Sequence, residues 1–254
     1  MDVVLIGAGN VAHVLGRSLK HAGHRILAIW NRDIQKAVTL AAELSATVVE
    51  RIEQLPQDAD IYILAVSDHA IDEMVALLQI KKGILVHNAG TVSIDVLSKA
   101  AKKYGVLWPM KMLRASMKEL GDCTIVIDGS DENTRKELEQ LAKQLSTRIA
   151  VADDNTRQKM HLVAAISSNF TNHMYHLAAD YCTSTNIDFA LFYPLIQAAA
   201  SQIQTAYPGE VQAGPAFRGD LETIERHRAL LSKEPGLLRL YNELTLSIRE
   251  KFGR

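Results

Sequence analysis

A glycine-rich turn near the start of the chain is the first feature that could do chemistry. Gly7-Ala8-Gly9-Asn10-Val11-Ala12 follows a short apolar run and opens a helical pattern, the context in which G-x-G-x-x-A indicates a dinucleotide site. Gly7 permits a tight turn, and Gly9 leaves room for a pyrophosphate beside the backbone. The first N–H groups of the helix, at Asn10 and Val11, attract the negative phosphates. The turn therefore predicts a dinucleotide-binding site, with a ligand-free glycine turn as the alternative.

The end of the second predicted strand bears on which dinucleotide would bind. That strand ends Trp30-Asn31-Arg32, without the carboxylate that usually bonds the ribose 2′-OH in NAD sites. Asn31 can bond a ribose or phosphate oxygen, and Arg32 supplies a planar cation for a 2′-phosphate. This pattern predicts NADP(H) as the cofactor, and the alternative is that Arg32 is a solvated surface charge.

Polar residues follow the next two central strands of the pattern. Ala65-Val66-Ser67-Asp68 and Asn88-Ala89-Gly90-Thr91 each come directly after an apolar run. Ligands of open parallel sheets bind beyond the carboxyl ends of the strands, so both stretches are expected beside the nicotinamide half of the cofactor. The predicted contacts are Ala65, Val66, Ser67, Asn88 and Gly90. The alternative is that Ser67 and Asp68 only cap the next helix, which is compatible with ligand contact.

A long helical pattern in the second half of the chain carries the candidate catalytic side chains. His161 and Ser168 lie within about 20° of each other on an α-helix, and Asn169 lies about 80° from His161. His161 could donate a proton as negative charge develops on a carbonyl or imine. Ser168 or Asn169 could orient that group. The alternative is a core or interfacial histidine.

Arg218 lies in a loop rich in glycine and proline, between helical patterns. It could bind a substrate carboxylate through two hydrogen bonds, or pair with Asp220 to hold the loop. His173, His176 and Asp180 share one helix face and could in principle hold a metal ion. A polar helix edge is the more frequent meaning of such a row, so no metal site is predicted.

The organisation of the chain changes near its middle. In residues 1–152 short apolar runs alternate with helical patterns, which is typical of parallel βαβ units. In residues 153–254 the alternation stops and the patterns are helical. We therefore predict an α/β fold, a doubly wound, mostly parallel Rossmann-type sheet that binds NADP(H). We expect it to be followed by an all-α domain that contacts substrate and pairs subunits.

Two local predictions concern the ends of helices. Ser130 is expected to cap the helix Glu132–Leu145, because serine is a favoured N-cap residue. A helix over residues 188–205 is expected to bend at Pro194, because proline removes a backbone donor.

Composition excludes several classes of protein. The 254 residues include 28 Lys plus Arg and 29 Asp plus Glu, a net charge of −1, which disfavours a nucleic-acid binder. Cys123 and Cys182 form no C-x-x-C motif, which argues against a disulfide framework and fits a reducing compartment. No apolar run reaches the roughly 18 residues needed to cross a bilayer, and the first residues lack a signal-peptide pattern. We expect a cytoplasmic protein without membrane contact.

These motifs resemble a known superfamily. The glycine turn, Trp30-Asn31-Arg32 and Ala65-Val66-Ser67-Asp68 are similar to the NADP-binding half of the 6-phosphogluconate dehydrogenase-like proteins. That superfamily includes pyrroline-5-carboxylate reductases, β-hydroxyacid dehydrogenases, imine reductases and deazaflavin-dependent NADP oxidoreductases. More narrowly, His87–Thr91, Trp108–Met110 and Gly214–Asp220 resemble a family of Rossmann-like proteins with a helical C-terminal domain of unknown function. The resemblance implies an NADP oxidoreductase and supplies no substrate.

One departure limits what the resemblance transfers. β-Hydroxyacid dehydrogenases carry a Lys and an Asn four residues apart on the first interdomain helix, whereas Lys159 is followed at that spacing by Val163. We expect NADP(H)-dependent hydride transfer to or from a small carbonyl, imine or hydroxy substrate in the interdomain cleft. The alternatives are hydride exchange between NADP and a deazaflavin, and a nucleotide sensor without turnover. The apolar stripe of the long helix predicts a homodimer.

Overall fold

The computed structural model describes residues 1–253, which form two compact units. The first unit ends at Phe170, and the second begins at Thr171. The first is built on one eight-stranded sheet. Its strands are β1 Asp2–Ile6, β2 Arg25–Trp30, β3 Thr47–Val48, β4 Ile61–Leu64, β5 Ile80–His87, β6 Ala101–Pro109, β7 Thr124–Gly129 and β8 Arg148–Val151.

The sheet has the topology of a doubly wound fold. Its strand order is β3-β2-β1-β4-β5-β6-β7-β8, and every neighbouring pair is parallel except β6 with β7. The winding reverses at β1, because the chain first builds outward to β3 and then returns to place β4 on the other side. A crevice opens at the carboxyl ends of strands at such a reversal, and ligands of these folds bind there. The predicted α/β fold with a mostly parallel sheet is confirmed.

Continuous apolar runs form the centre of the sheet. The side chains of Val3–Ile6 and of Ile61–Leu64 are fully buried, because helices cover both faces of these strands. Parallel strands buried on both faces need this composition, which is why the sequence pattern located them. The two faces of β1 and β4 belong to two separate apolar clusters, each completed by helices.

The first unit contains the α-helices α1 to α5, and the cap of α4 differs from the predicted one. They are α1 Asn10–His21, α2 Ile34–Leu44, α3 Ile71–Leu77, α4 Glu132–Leu145 and α5 Asp154–Ala164, and a π-helical segment Ala165–Phe170 follows α5. Asp131, not Ser130, caps α4: its carboxylate accepts the N–H of Thr134 at 2.9 Å. The Ser130 hydroxyl instead accepts the backbone N–H of Tyr104, and the next residue, Asp131, serves as the N-cap.

The second unit is helical throughout. Its helices are α6 Thr171–Ser184, α7 Tyr193–Gln202, α8 Pro215–Arg218, α9 Leu221–Leu230 and α10 Pro235–Phe252. The helix predicted over residues 188–205 is shorter: a 3-10 turn, Phe189–Phe192, precedes α7, and Pro194 lies in the first turn of α7. Proline is tolerated there because that N–H has no helical partner anyway. Within residues 1–253, no helix is both long and apolar enough to span a membrane.

Candidate functional site

The two glycines of the turn after β1 have different roles. Gly7 has φ +118°, and a Cβ there would overlap the carbonyl oxygen of Ala65 at the end of β4. Its N–H donates to the carbonyl of Trp30 at 2.7 Å, so Gly7 lies where three strand ends meet. Gly9 has an ordinary φ of −88°, and no described atom beyond its chain neighbours lies within 4 Å of a Cβ there. Gly7 is therefore required by packing, whereas Gly9 faces open space.

A cavity of about 580 Å³ lies at the start of α1. Within the described residues no side chain caps this helix end, so its first N–H groups remain available. The lining contains these predicted cofactor contacts: Gly9, Asn10, Asn31, Arg32, Ala65, Val66 and Ser67. It also contains three polar side chains that the sequence analysis did not select: His13, Lys36 and His69. Gly7, Val11, Asn88 and Gly90 are not part of this lining.

Asn31 is engaged with the backbone around it. Its Oδ1 accepts the N–H of Ala8 at 3.1 Å, and its Nδ2 donates to the carbonyl of Asp33 at 2.9 Å. The side chain thus ties the glycine turn to the loop after β2. Because both the oxygen and the nitrogen of its side-chain amide are hydrogen-bonded to backbone groups, Asn31 contributes to the cavity by fixing the position of that turn.

Arg32 forms a salt bridge with a residue distant in sequence. Its Nη2 donates to both carboxylate oxygens of Glu73 in α3, at 2.9 and 3.0 Å. Lys36, in the first turn of α2, lines the same cavity as Arg32. Two cations therefore lie at this part of the cavity, and each has an acid nearby: Glu73 beside Arg32, and Asp33 at 3.9 Å from Lys36.

A segment that sequence reasoning missed lies against α1. The N–H of Ala115 donates to Asn10 Oδ1 at 2.9 Å, and Arg17 donates to the carbonyls of Ala115 and Met117. The N–H of Leu120 donates to Ser18 Oγ at 2.8 Å. These bonds hold the stretch 115–120 against the helix, and Ala115 reaches the cavity. The stretch has no strand or helix pattern that could have indicated this position.

The loops after β4 and β5 are linked to each other. Thr91 Oγ1 donates to Asp68 Oδ2 at 3.1 Å. Asn88 donates its Nδ2 to the carbonyl of Leu107, while its buried Oδ1 has no hydrogen-bond partner within residues 1–253. A buried acceptor without a donor carries a free-energy cost, so Asn88 is an unsatisfied polar side chain beneath this loop.

His161 lies against the loop after β5. A Cβ at Gly90 would overlap its imidazole, so glycine at this position allows the ring to approach the loop. The ring also packs on Trp108 at the end of β6, with 5.7 Å between ring centroids. His161, Ser168 and Asn169 line one cavity of about 240 Å³, as their predicted proximity requires. Ser168 and Asn169 belong to the π-helical segment, a geometry often found at functional sites.

Two buried polar side chains support this loop, and the sequence analysis selected neither. His87 Nδ1 accepts the N–H of Ala89 at 3.1 Å, and burial together with the nearby Arg157 cation lowers the pKa of His87 to about 4. Arg157, in α5, is fully buried. Its Nη2 donates to the carbonyl of Val92 and to Asp154 Oδ1, the latter at 2.6 Å. Neutral His87 therefore holds the start of the stretch that contains Asn88 and Gly90, and the Arg157 guanidinium holds its end.

The remaining candidates lie in the second unit. Arg218 is exposed and lines a cavity of about 670 Å³ together with Arg249. The carboxylate of Asp220 is occupied by Thr223, because it accepts that residue's N–H at 3.0 Å and its hydroxyl at 2.8 Å. His176 pairs with Asp180 at 3.4 Å. Within the described part of the chain, no group of three His, Cys, Asp or Glu side chains could hold a metal.

Comparison with known proteins identifies relatives of both halves. Residues 2–96 match a family described as NADP oxidoreductase, coenzyme F420-dependent. Residues 123–248 match a family described as a domain of unknown function, DUF2520. A search of the curated proteins found no match.

Solved structures extend the likeness over the whole chain. A protein from Bacteroides fragilis, described as a candidate NADP oxidoreductase, is 33% identical, with 98% of each chain covered and a TM-score of 0.91. A reductive aminase from Aspergillus terreus, solved with NADPH and ethyl levulinate, is 17% identical, with 99% of this chain and 95% of that chain covered and a TM-score of 0.73. A 1-pyrroline-5-carboxylate reductase from Streptococcus pyogenes is 14% identical, with 100% and 98% covered and a TM-score of 0.68. The last two share the fold. The chain belongs to the family of the Bacteroides fragilis protein, in which an NADP oxidoreductase-type domain precedes a helical domain of unknown function.

Proposed function

We propose that the protein binds NADP(H) at the start of α1 and catalyses hydride transfer to or from a small carbonyl, imine or hydroxy substrate. The observation that carries this proposal is the open space at Gly9, beside an uncapped helix start and a cavity of about 580 Å³. A helix start with free N–H groups and no intervening Cβ suits a pyrophosphate. The reductive aminase with a similar fold was solved with NADPH, which agrees with this proposal.

The residues around the cavity fit this cofactor. The amides of Gly9, Asn10 and Val11 would hold the pyrophosphate, and Arg32 with Lys36 would hold the 2′-phosphate. The nicotinamide half would lie near these residues after β4 and β5: Ala65, Val66, Ser67, Asn88 and Gly90. When bound, NADP(H) supplies or accepts the hydride, and the protein's part is position and proton transfer.

His161 is the proposed proton donor to the substrate. Its ring is held between Gly90 and Trp108 and lines a cavity with Ser168 and Asn169. A histidine positioned in this way can give a proton to a carbonyl or imine as negative charge develops. Ser168 and Asn169 would hydrogen-bond the same group and orient it.

Arg218 is the proposed clamp for a substrate carboxylate. Asp220, the acid with which it could have paired, is already engaged with Thr223. The Arg218 guanidinium is exposed, and it can bind a carboxylate through two parallel hydrogen bonds.

A second candidate function is hydride exchange between NADP and a deazaflavin. It is favoured by the description of the family that matches residues 2–96, which names coenzyme F420. The two candidates share the NADP site and differ in the second reactant. Measuring NADPH oxidation with a deazaflavin and with a panel of keto and imino acids separates them.

Replacing His161 by phenylalanine tests the catalytic role. We expect NADPH affinity, measured by quenching of tryptophan fluorescence, to stay within about twofold, because the His161 ring does not line the cavity at the start of α1. Turnover should fall about 100-fold or more, the usual cost of losing a general acid. His176→Phe, an exposed histidine of the second unit, is the matched control and should keep full turnover. If the wild type binds NADPH but reduces none of the acceptors tested, the result would instead favour a nucleotide sensor.

We further propose that the protein forms a homodimer through its helices. Leu191 and Leu195, four residues apart in the second unit, are 71% and 66% exposed. Large apolar side chains exposed together usually mark a subunit contact. Light scattering after size exclusion should give twice 28.0 kDa, and Leu191→Lys should shift the mass toward the monomer. Val38→Lys, at an exposed apolar residue of the first unit, should leave the mass unchanged. A monomeric wild type contradicts the proposal.

A further inference from the structure

Glu73 supplies a carboxylate beside the predicted 2′-phosphate site. Sequence reasoning found no acid at the end of β2, where NAD enzymes usually carry one. The fold brings one there from α3: both oxygens of Glu73 accept from Arg32 Nη2, at 2.9 and 3.0 Å. Arg32 is 71% exposed and Glu73 is 62% exposed, so both can meet a ligand.

We propose that Glu73 determines how strongly the protein prefers NADPH over NADH. This inference rests on the proposed cofactor site. In the free protein Glu73 holds Arg32, and an arriving 2′-phosphate must compete with it for the guanidinium. Glu73 therefore weakens the preference for the phosphorylated cofactor, so that the site accepts both dinucleotides.

Electrostatics gives this effect its direction. The 2′-phosphate is a stronger partner for Arg32 than a carboxylate, because it carries more charge and more acceptor oxygens. An exposed salt bridge is weak, so Arg32 can leave Glu73 for the phosphate. The Glu73 carboxylate then remains close to the phosphate and repels it. No such repulsion acts on a ribose 2′-OH, which can instead donate a hydrogen bond to the carboxylate, as in NAD sites.

Lys36 is a second cation that can meet the 2′-phosphate. It lines the cavity with Arg32, and its Nζ is 3.9 Å from Asp33 Oδ2, at the outer limit of a salt bridge. With both acids ionised, the charges of Arg32, Lys36, Glu73 and Asp33 sum to zero. Glu73→Gln raises this sum to one positive charge and replaces the carboxylate with an amide of nearly the same size.

The test compares adenosine 2′,5′-bisphosphate with adenosine 5′-monophosphate, two probes that differ only in the 2′-phosphate. Their affinities are measured by calorimetry for the wild type and for Glu73→Gln. We expect the ratio of the two affinities to rise about three- to tenfold in Glu73→Gln. The rise should shrink as salt is added, because the charges are exposed. In an Arg32→Ala background, the same substitution should raise the ratio by a smaller factor, because the competition for the guanidinium is gone and only the repulsion by the carboxylate remains.

Glu137→Gln is the matched control. Glu137 is an exposed acid of the first unit that pairs with Lys103 at 2.7 Å, and it lines no part of the cavity. The substitution Glu137→Gln removes the same charge as Glu73→Gln, so its ratio of the two probe affinities should equal that of the wild type. An unchanged or lower ratio in Glu73→Gln overturns the inference while leaving the cofactor site in place. If neither probe nor NADPH binds the wild type, the proposed function fails, and the inference fails with it.

Discussion

Replacing Gly9 by valine is expected to weaken NADPH binding by about 100-fold or more while the fold stays intact. The backbone of Gly9, with φ −88° and ψ −171°, is accessible to any residue, and the Cβ would enter open space. That space is where the proposal places the pyrophosphate, so the valine side chain would occupy the ligand's position. A loss of this size corresponds to about 2.7 kcal/mol or more of binding free energy. Calorimetry gives the affinity, and thermal unfolding gives the stability.

Gly7→Ala is the control, because it should lower stability, whereas Gly9→Val should lower affinity and leave stability unchanged. A Cβ at Gly7 would overlap the carbonyl oxygen of Ala65, and φ +118° is unfavourable for alanine. The midpoint of unfolding should therefore fall in Gly7→Ala and stay near the wild-type value in Gly9→Val. If Gly9→Val binds NADPH as tightly as the wild type does, the pyrophosphate is not at this turn.

Arg157→Ala is expected to lower the free energy of unfolding of the first unit by about 2–4 kcal/mol, mainly because a large, fully buried side chain is removed. The guanidinium is fully buried, and its removal takes the donor from the Val92 carbonyl and from Asp154. It also leaves a cavity that its neighbours fill only in part. Trp30 and Trp108 both lie in the first unit, so fluorescence during urea denaturation reports on this unit.

Arg135→Ala is the matched control for this measurement. Arg135 also belongs to a helix of the first unit, but its salt bridge with Glu132 is exposed. Such pairs contribute about 0–1 kcal/mol, so the control should differ little from the wild type. A loss below about 1 kcal/mol in Arg157→Ala would mean that the buried guanidinium does not hold the loop after β5.

Much of the architecture was predictable because its physics is local. Strands buried on both faces must be apolar along their whole length, which is why the apolar runs of β1 and β4 are recognisable in the sequence. The turn after β1 was equally readable, since Gly7 needs a left-handed backbone and the start of α1 needs free amides. Helix caps were less certain, because Ser130 and Asp131 are both good cap residues and only their wider contacts separate them.

The candidate catalytic group shows where sequence reasoning succeeds only in part. Helical spacing brought His161 and Ser168 together, and they line one cavity. The spacing could not show that Ser168 lies in a π-helical segment, because that winding depends on packing beyond the segment. It also could not show that Gly90 makes room for the imidazole.

By itself, the sequence determined the buried strands, the glycine turn and the cationic end of β2, because each can be recognised from residues adjacent along the chain. The tertiary structure alone decided that Glu73 reaches Arg32, that stretch 115–120 lies on α1, and that Arg157 is buried. These contacts join residues far apart in sequence, or depend on which side of a helix faces the core. An arginine has the same letter whether it is solvated, paired or enclosed, and only the packed chain distinguishes these environments.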